Sequence, residues 1–253
     1  MKTRNSFLLG SLFVAACSGA PAGAQAAPAK WADTISAEIE NAQRSGDLSR
    51  IQAARALAER VATAYPEDGL ILHYEGYALL REAQATSVKG GDAASLLRRA
   101  NDLFARSAKL RPLAETYALM SSVDGQLIDA DPSRAMELGM ASQSAMSQAL
   151  ALGAKNPRVW LTRGQGAFFT PPEYGGGVKP AQEYLERAAE LFATDAPKTG
   201  EPSWGRAEVQ VWLGQVYQKE GDEMKAARAF KSAVDLAPDY VWARALADGV
   251  KKP

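Results

Sequence analysis

Apolar residues in this chain return at three- and four-residue intervals, the repeat that places them on one face of an α-helix. Leu213, Tyr217, Phe230 and Ala233 show it most clearly. Turn and stop residues interrupt the helical pattern at regular distances: Gly46-Asp47, Pro66, Pro112, Asn156-Pro157, Gly221-Asp222 and Pro238. Proline cannot continue a helix, and glycine followed by aspartate suits a reversal with a side-chain cap for the next helix. This punctuation predicts helix pairs over 31–66, 67–112, 113–157, 158–200 and 203–238, with a closing helix over 239–250. The expected fold class is all-α, an α-solenoid of about five helix pairs plus a C-terminal capping helix. In such an array each unit buries its apolar face on its neighbour, and the last face needs a cap.

The sharpest unit runs from Ala207 to Tyr240. Leu213-Gly214 is followed by Tyr217, Gly221-Asp222, Ala226, Phe230, Ala233 and Pro238. Small residues at 214 and 226 let the two helices of the unit touch. The spacing resembles the 34-residue tetratricopeptide repeat (TPR), whose first signature position is occupied here by Gln210. Gly76 with Ala100, Phe104 and Pro112 fits the same frame, with about a dozen residues added between the helices. Gly164 with Ala181, Leu185 and Ala188 fits it with about five added. Glu75 and Arg163 stand where that family prefers a large apolar residue. The stretches TPPEYGGG (170–177), PSWG (202–205) and PDYVW (238–242) resemble a subgroup of exported bacterial TPR proteins.

The resemblance implies that the first helix of each unit lines a concave groove. The positions it assigns there are His73, Tyr77, Arg81, Arg158, Gln165, Phe168, Gln215 and Lys219, a mixture of aromatic, amide and charged groups suited to a peptide or small ligand. Gln165 and Gln215 stand where carboxylate-clamping TPR grooves carry asparagine, and the paired lysine is missing.

The N-terminus changes the expected location. Lys2 and Arg4 precede the apolar run Phe7–Ala16, which is too short to span a bilayer. The run reads as the core of a signal peptide over 1–26. Two processing routes are open: cleavage before Ala27, giving a periplasmic or secreted protein, or lipidation at Cys17, giving a lipoprotein anchored to the membrane and facing the periplasm. Cys17 is the only cysteine, so no disulfide is available. The full chain has 29 basic and 29 acidic residues, and loss of Lys2 and Arg4 leaves a net charge of −2. No basic stripe points to nucleic acid, and no later run approaches transmembrane length.

Candidate chemistry is sparse. Gly175–Gly177 follows a helical segment, has no Ser or Thr after Lys179, and reads as a turn between helices instead of a phosphate loop. Ser87–Asp92 is a second glycine-containing turn on the same expected edge, and both carry a lysine, Lys89 and Lys179. His73 is the sole histidine, with no nucleophile-elbow or HExxH motif to join it. The expectation is therefore a non-enzymatic module without cofactor or metal, binding an envelope protein or peptide through its groove. The alternative is a small-molecule-binding accessory subunit similar to the TPR components of tripartite periplasmic transporters.

Overall fold

The computed structural model describes residues 22–249, the side chains of 22–27 excepted. Cys17, Lys2, Arg4 and the apolar run 7–16 lie outside the described residues. Among those described there are eleven α-helices and no strand. They are α1 (Ala22–Ser45), α2 (Leu48–Ala64), α3 (Gly69–Val88), α4 (Ala94–Leu110), α5 (Ala114–Ala130), α6 (Ala135–Gly153), α7 (Pro157–Phe169), α8 (Val178–Phe192), α9 (Arg206–Glu220), α10 (Glu223–Leu236) and α11 (Val241–Gly249). Position 27, where cleavage is expected, falls inside α1.

The predicted punctuation acts locally as expected. Asp47 accepts from Ser49 N, Asn156 from Arg158 N and Asp222 from Lys225 N, and Asp68, outside that punctuation, accepts from Leu70 N and Ile71 N; these side chains satisfy amides that the first helical turn leaves free. Consecutive helices pair as α1/α2, α3/α4, α5/α6, α7/α8 and α9/α10, and α11 covers α10. The tight point recurs in three pairs. A Cβ at Gly214 would lie 2.3 Å from Phe230, one at Gly76 2.7 Å from Phe104, and one at Gly164 2.6 Å from Leu185. Only hydrogen fits on the first helix where a large residue of the second inserts.

Two features depart from a uniform stack. The residues added to the second unit do not all form a loop, because α3 continues through them to Val88. The junction between the third and fourth units is also skewed: α5 packs directly on α7, while α6 meets α7 only marginally.

The turn over 175–177 is internally satisfied. Gly175 N donates to Pro172 O, Gly176 N to Pro171 O and Gly177 N to Ala167 O at 2.8 Å. Gly175 and Gly177 have φ of 82° and 102°, a region that favours glycine. With its amides already spent on carbonyls, the turn has no cradle for an anion.

Candidate functional site: the concave face and its aromatic rim

The odd-numbered helices form the inner layer of the superhelix. α3 is at its centre and is buried on every side from Gly69 to Ala83. His73, Tyr77 and Arg81 recur every four residues, so they form one stripe along α3. The structure places this stripe inside the protein and not on an open groove, because other segments of the chain cover it. His73 is fully buried, and its Nδ1 is 2.9 Å from Thr116 Oγ1 on α5. Burial, with Arg111 adding to it, pushes the imidazole down to about 3, so it is neutral at ordinary pH. Tyr77 is fully buried, stacks on Trp204 with ring centroids 5.1 Å apart, and donates to Glu40 on α1 at 3.0 Å.

Arg81 reaches across to α9. Its two terminal nitrogens donate to Glu208 Oε1 and Oε2 at 3.2 and 2.6 Å, and Gln165 on α7 donates to the same carboxylate at 2.8 Å. Burial alone would raise the Glu208 carboxyl, but Arg81 and the amides of Gln43 and Gln165 hold it below its ordinary value. Glu40 has no such clamp. Burial and the neighbouring Glu208 charge hold its carboxyl above its ordinary range, against the pull of Arg81 and the Tyr77 hydroxyl.

The cover over this stripe is the link between α8 and α9, residues 193–205. Trp204 is buried on Tyr77, and Gly200 N donates to Asp33 of α1 at 2.7 Å. Arg158 is 2% exposed and forms a paired contact with Asp195, with Nη2 at 2.7 Å from Oδ2. It therefore holds this link in place and does not face solvent as a groove cation. At the outer edge Arg44 of α1 pairs with Asp239 ahead of α11, so the first and last units meet. Between them lies a cavity of about 270 Å³ lined by Glu40, Gln43, Glu208 and Tyr240 among others.

Beyond the clamp the inner face opens. Phe168 stands three residues after Gln165, and Trp212 four after Glu208, so both continue the same helix faces past the buried network. Phe168, Phe169 and Trp212 meet edge to face at centroid distances of 5.3–5.8 Å, and Trp242 at the start of α11 joins Trp212 at 5.7 Å. Phe169 is 71% exposed and Trp242 39%. Trp212 Nε1 and Gln215 Nε2, on the same helix, are buried donors without an acceptor among the described residues. Lys219 lies exposed at the end of α9.

Of the expected groove positions, the structure brings Phe168 to this rim, with Gln165 just inside it and Gln215 three residues beyond Trp212 on α9. It leaves Lys219 at the helix end and commits His73, Tyr77, Arg81 and Arg158 to the interior. The residues that sequence reasoning passed over are Glu40, Trp204, Trp212 and Trp242. A usable signal existed, since three of the five tryptophans fall in or beside the last repeat.

No protein-family model matches the chain, and no curated protein matches its sequence. Solved structures do share its architecture. The HusA haemophore from Porphyromonas gingivalis superposes with a TM-score of 0.60 at 21% identity, over 75% of this chain and 94% of that one. TTC0263, a thermophilic TPR protein of Thermus thermophilus, superposes with a TM-score of 0.62 at 18% identity, over 89% of this chain and 98% of that one. With its paired helices, its repeated glycine contacts and this superposition, the chain has a TPR-like all-α solenoid fold.

Proposed function

We propose that this protein is an exported, non-enzymatic interaction module that captures an extended segment of a partner protein against the aromatic rim of its inner face. The observation that carries the reading is the cluster Phe168, Phe169, Trp212 and Trp242, contributed by three helices and left partly open to water. Exposed aromatics cost solvation free energy, and contiguous patches of them mark docking surfaces. Their mutual edge-to-face packing holds them in place before a ligand arrives, which lowers the entropic cost of binding. The stripe of His73, Tyr77 and Arg81 is covered by the chain itself, which leaves the rim as the aromatic surface open to a peptide.

A non-enzymatic role is supported by the state of His73, which is buried against Thr116 and remote from solvent. No described helix is long and apolar enough to cross a membrane, and the leader residues suggest export to a bacterial envelope. The fold shared with a haemophore carries no ligand with it, so haemin enters the test as a competing ligand.

The test places a photoreactive phenylalanine at position 169 and, as a control, at Met224 on α10. After crosslinking in envelope fractions, the adducts are mapped by mass spectrometry and the captured segment is synthesised as a peptide. Adducts confined to position 169, with peptide affinity falling at least about tenfold in Trp242→Ala, support the reading. Equal adducts at both positions, or saturable haemin binding to the rim in place of peptide binding, overturn it.

A further inference from the structure

A second recess lies where the second and third units meet. It is a cleft of about 520 Å³ between α4, α5 and α6, distinct from the aromatic rim. Its size is in the range of small-molecule sites. Met120, Leu127 and Leu138 give it an apolar floor. Asp124, on α5, is 4% exposed and lines it. Asn101 Nδ2, from α4, donates to the Asp124 carboxylate at 2.9 Å. The other end of that amide, Asn101 Oδ1, is buried and has no partner among the described residues. Two acceptors therefore stand side by side in one cleft, and neither is paired with a cation there.

The surrounding charges do not supply that cation. Arg98 and Asp102 face the cleft from α4, Glu137 from α6 and Arg134 from the turn before it. Arg134 is committed to Glu137 at 2.6 Å. Against two arginines the lining holds three carboxylates, so it carries one net negative charge. A buried carboxylate without a paired cation is costly unless a ligand supplies one.

We infer that this cleft binds a small protonated organic amine, its ammonium group donating to the Asp124 carboxylate and Asn101 Oδ1, with a short apolar body lying on Met120, Leu127 and Leu138. A peptide's backbone amides alone do not meet the requirement, because a cation has to replace water around Asp124. Burial pushes the Asp124 carboxyl up to about 6, with Glu137 acting in the same direction against Asn101 and Arg134. Binding therefore strengthens as pH rises through that value.

The experiment titrates n-butylammonium and, as a neutral control, n-butanol into the full mature chain, following the Asn101 side-chain amide and the Asp124 carboxyl by NMR. Expected are saturable amine binding, about tenfold tighter at pH 7.5 than at pH 5, a fall in the Asp124 pKa on binding, and loss of binding in Asp124→Asn with the helical circular dichroism retained. Asn101→Ala gives a second variant should Asp124→Asn unfold. Equal binding of n-butanol, unchanged affinity in a folded variant, or no saturation by the amine would overturn the proposal.

Discussion

At the scale of the residue, single contacts set measurable properties. A Cβ at Gly214 would sit 2.3 Å from the Phe230 ring, which is itself fully buried. Gly214→Ala is expected to destabilise the protein by about 1–3 kcal/mol through overpacking, read by urea melts. Gly125→Ala, at a helical glycine with open space around it, is expected to be neutral or slightly stabilising. His73 makes a pH prediction. Its folded pKa lies at about 3, below the unfolded value, so the unfolded chain binds the extra proton as pH falls from the unfolded pKa towards 3. Stability therefore drops with acid across that window, by up to about 1.4 kcal/mol per pH unit. His73→Gln is expected to flatten the slope between pH 6 and 4 in urea melts at several pH values. Asp124 contributes with the opposite sign: its raised carboxyl keeps a proton in the folded state, so its contribution weakens as pH rises towards 6.

At the scale of the element, the deciding piece is the link 193–205 and not a helix. Arg158 is almost fully buried and depends on Asp195 for its counter-charge. Asp195→Ala leaves that guanidinium buried and unpaired, which is expected to cost about 3–5 kcal/mol. Hydrogen exchange separates this from a general loss of stability: amides around Gly200 and Trp204 are expected to lose protection before those of α3. Equal loss throughout the chain would mean that the link opens only with global unfolding. The link's importance was not legible beforehand. Pro202, Trp204 and Gly205 were visible as a motif, but a loop's composition does not state which face of a neighbour it covers.

At the scale of the whole molecule, two ion pairs of different character join the N-terminal and C-terminal parts of the array among the described residues. Arg81–Glu208, between α3 and α9, is buried on both sides, whereas Asp239 in Arg44–Asp239 is 62% exposed. Glu208→Ala is expected to cost about 3–5 kcal/mol and to expand the superhelix in small-angle scattering. Arg44→Ala is expected to cost less than about 1 kcal/mol and to leave the scattering unchanged. If the two variants behaved alike, closure would rest on apolar packing and not on the clamp.

Caps, prolines and helical periodicity act over a few residues, so the helix pairs, their order and the repeated small-to-large contact could all be read along the chain. The resemblance to the tetratricopeptide repeat grouped His73 with Tyr77 and Arg81, and assigned Phe168 and Gln215 to the same expected groove. Which stripes stay open was settled only by the packed molecule. Whether α3 faces solvent depends on how far the superhelix turns, on where residues 193–205 run, and on whether α9 comes within reach of Arg81. The cleft at Asp124, lined from both the second and the third unit, has the same origin. Each of these depends on small rotations summed over several units, and no short stretch of sequence records that sum.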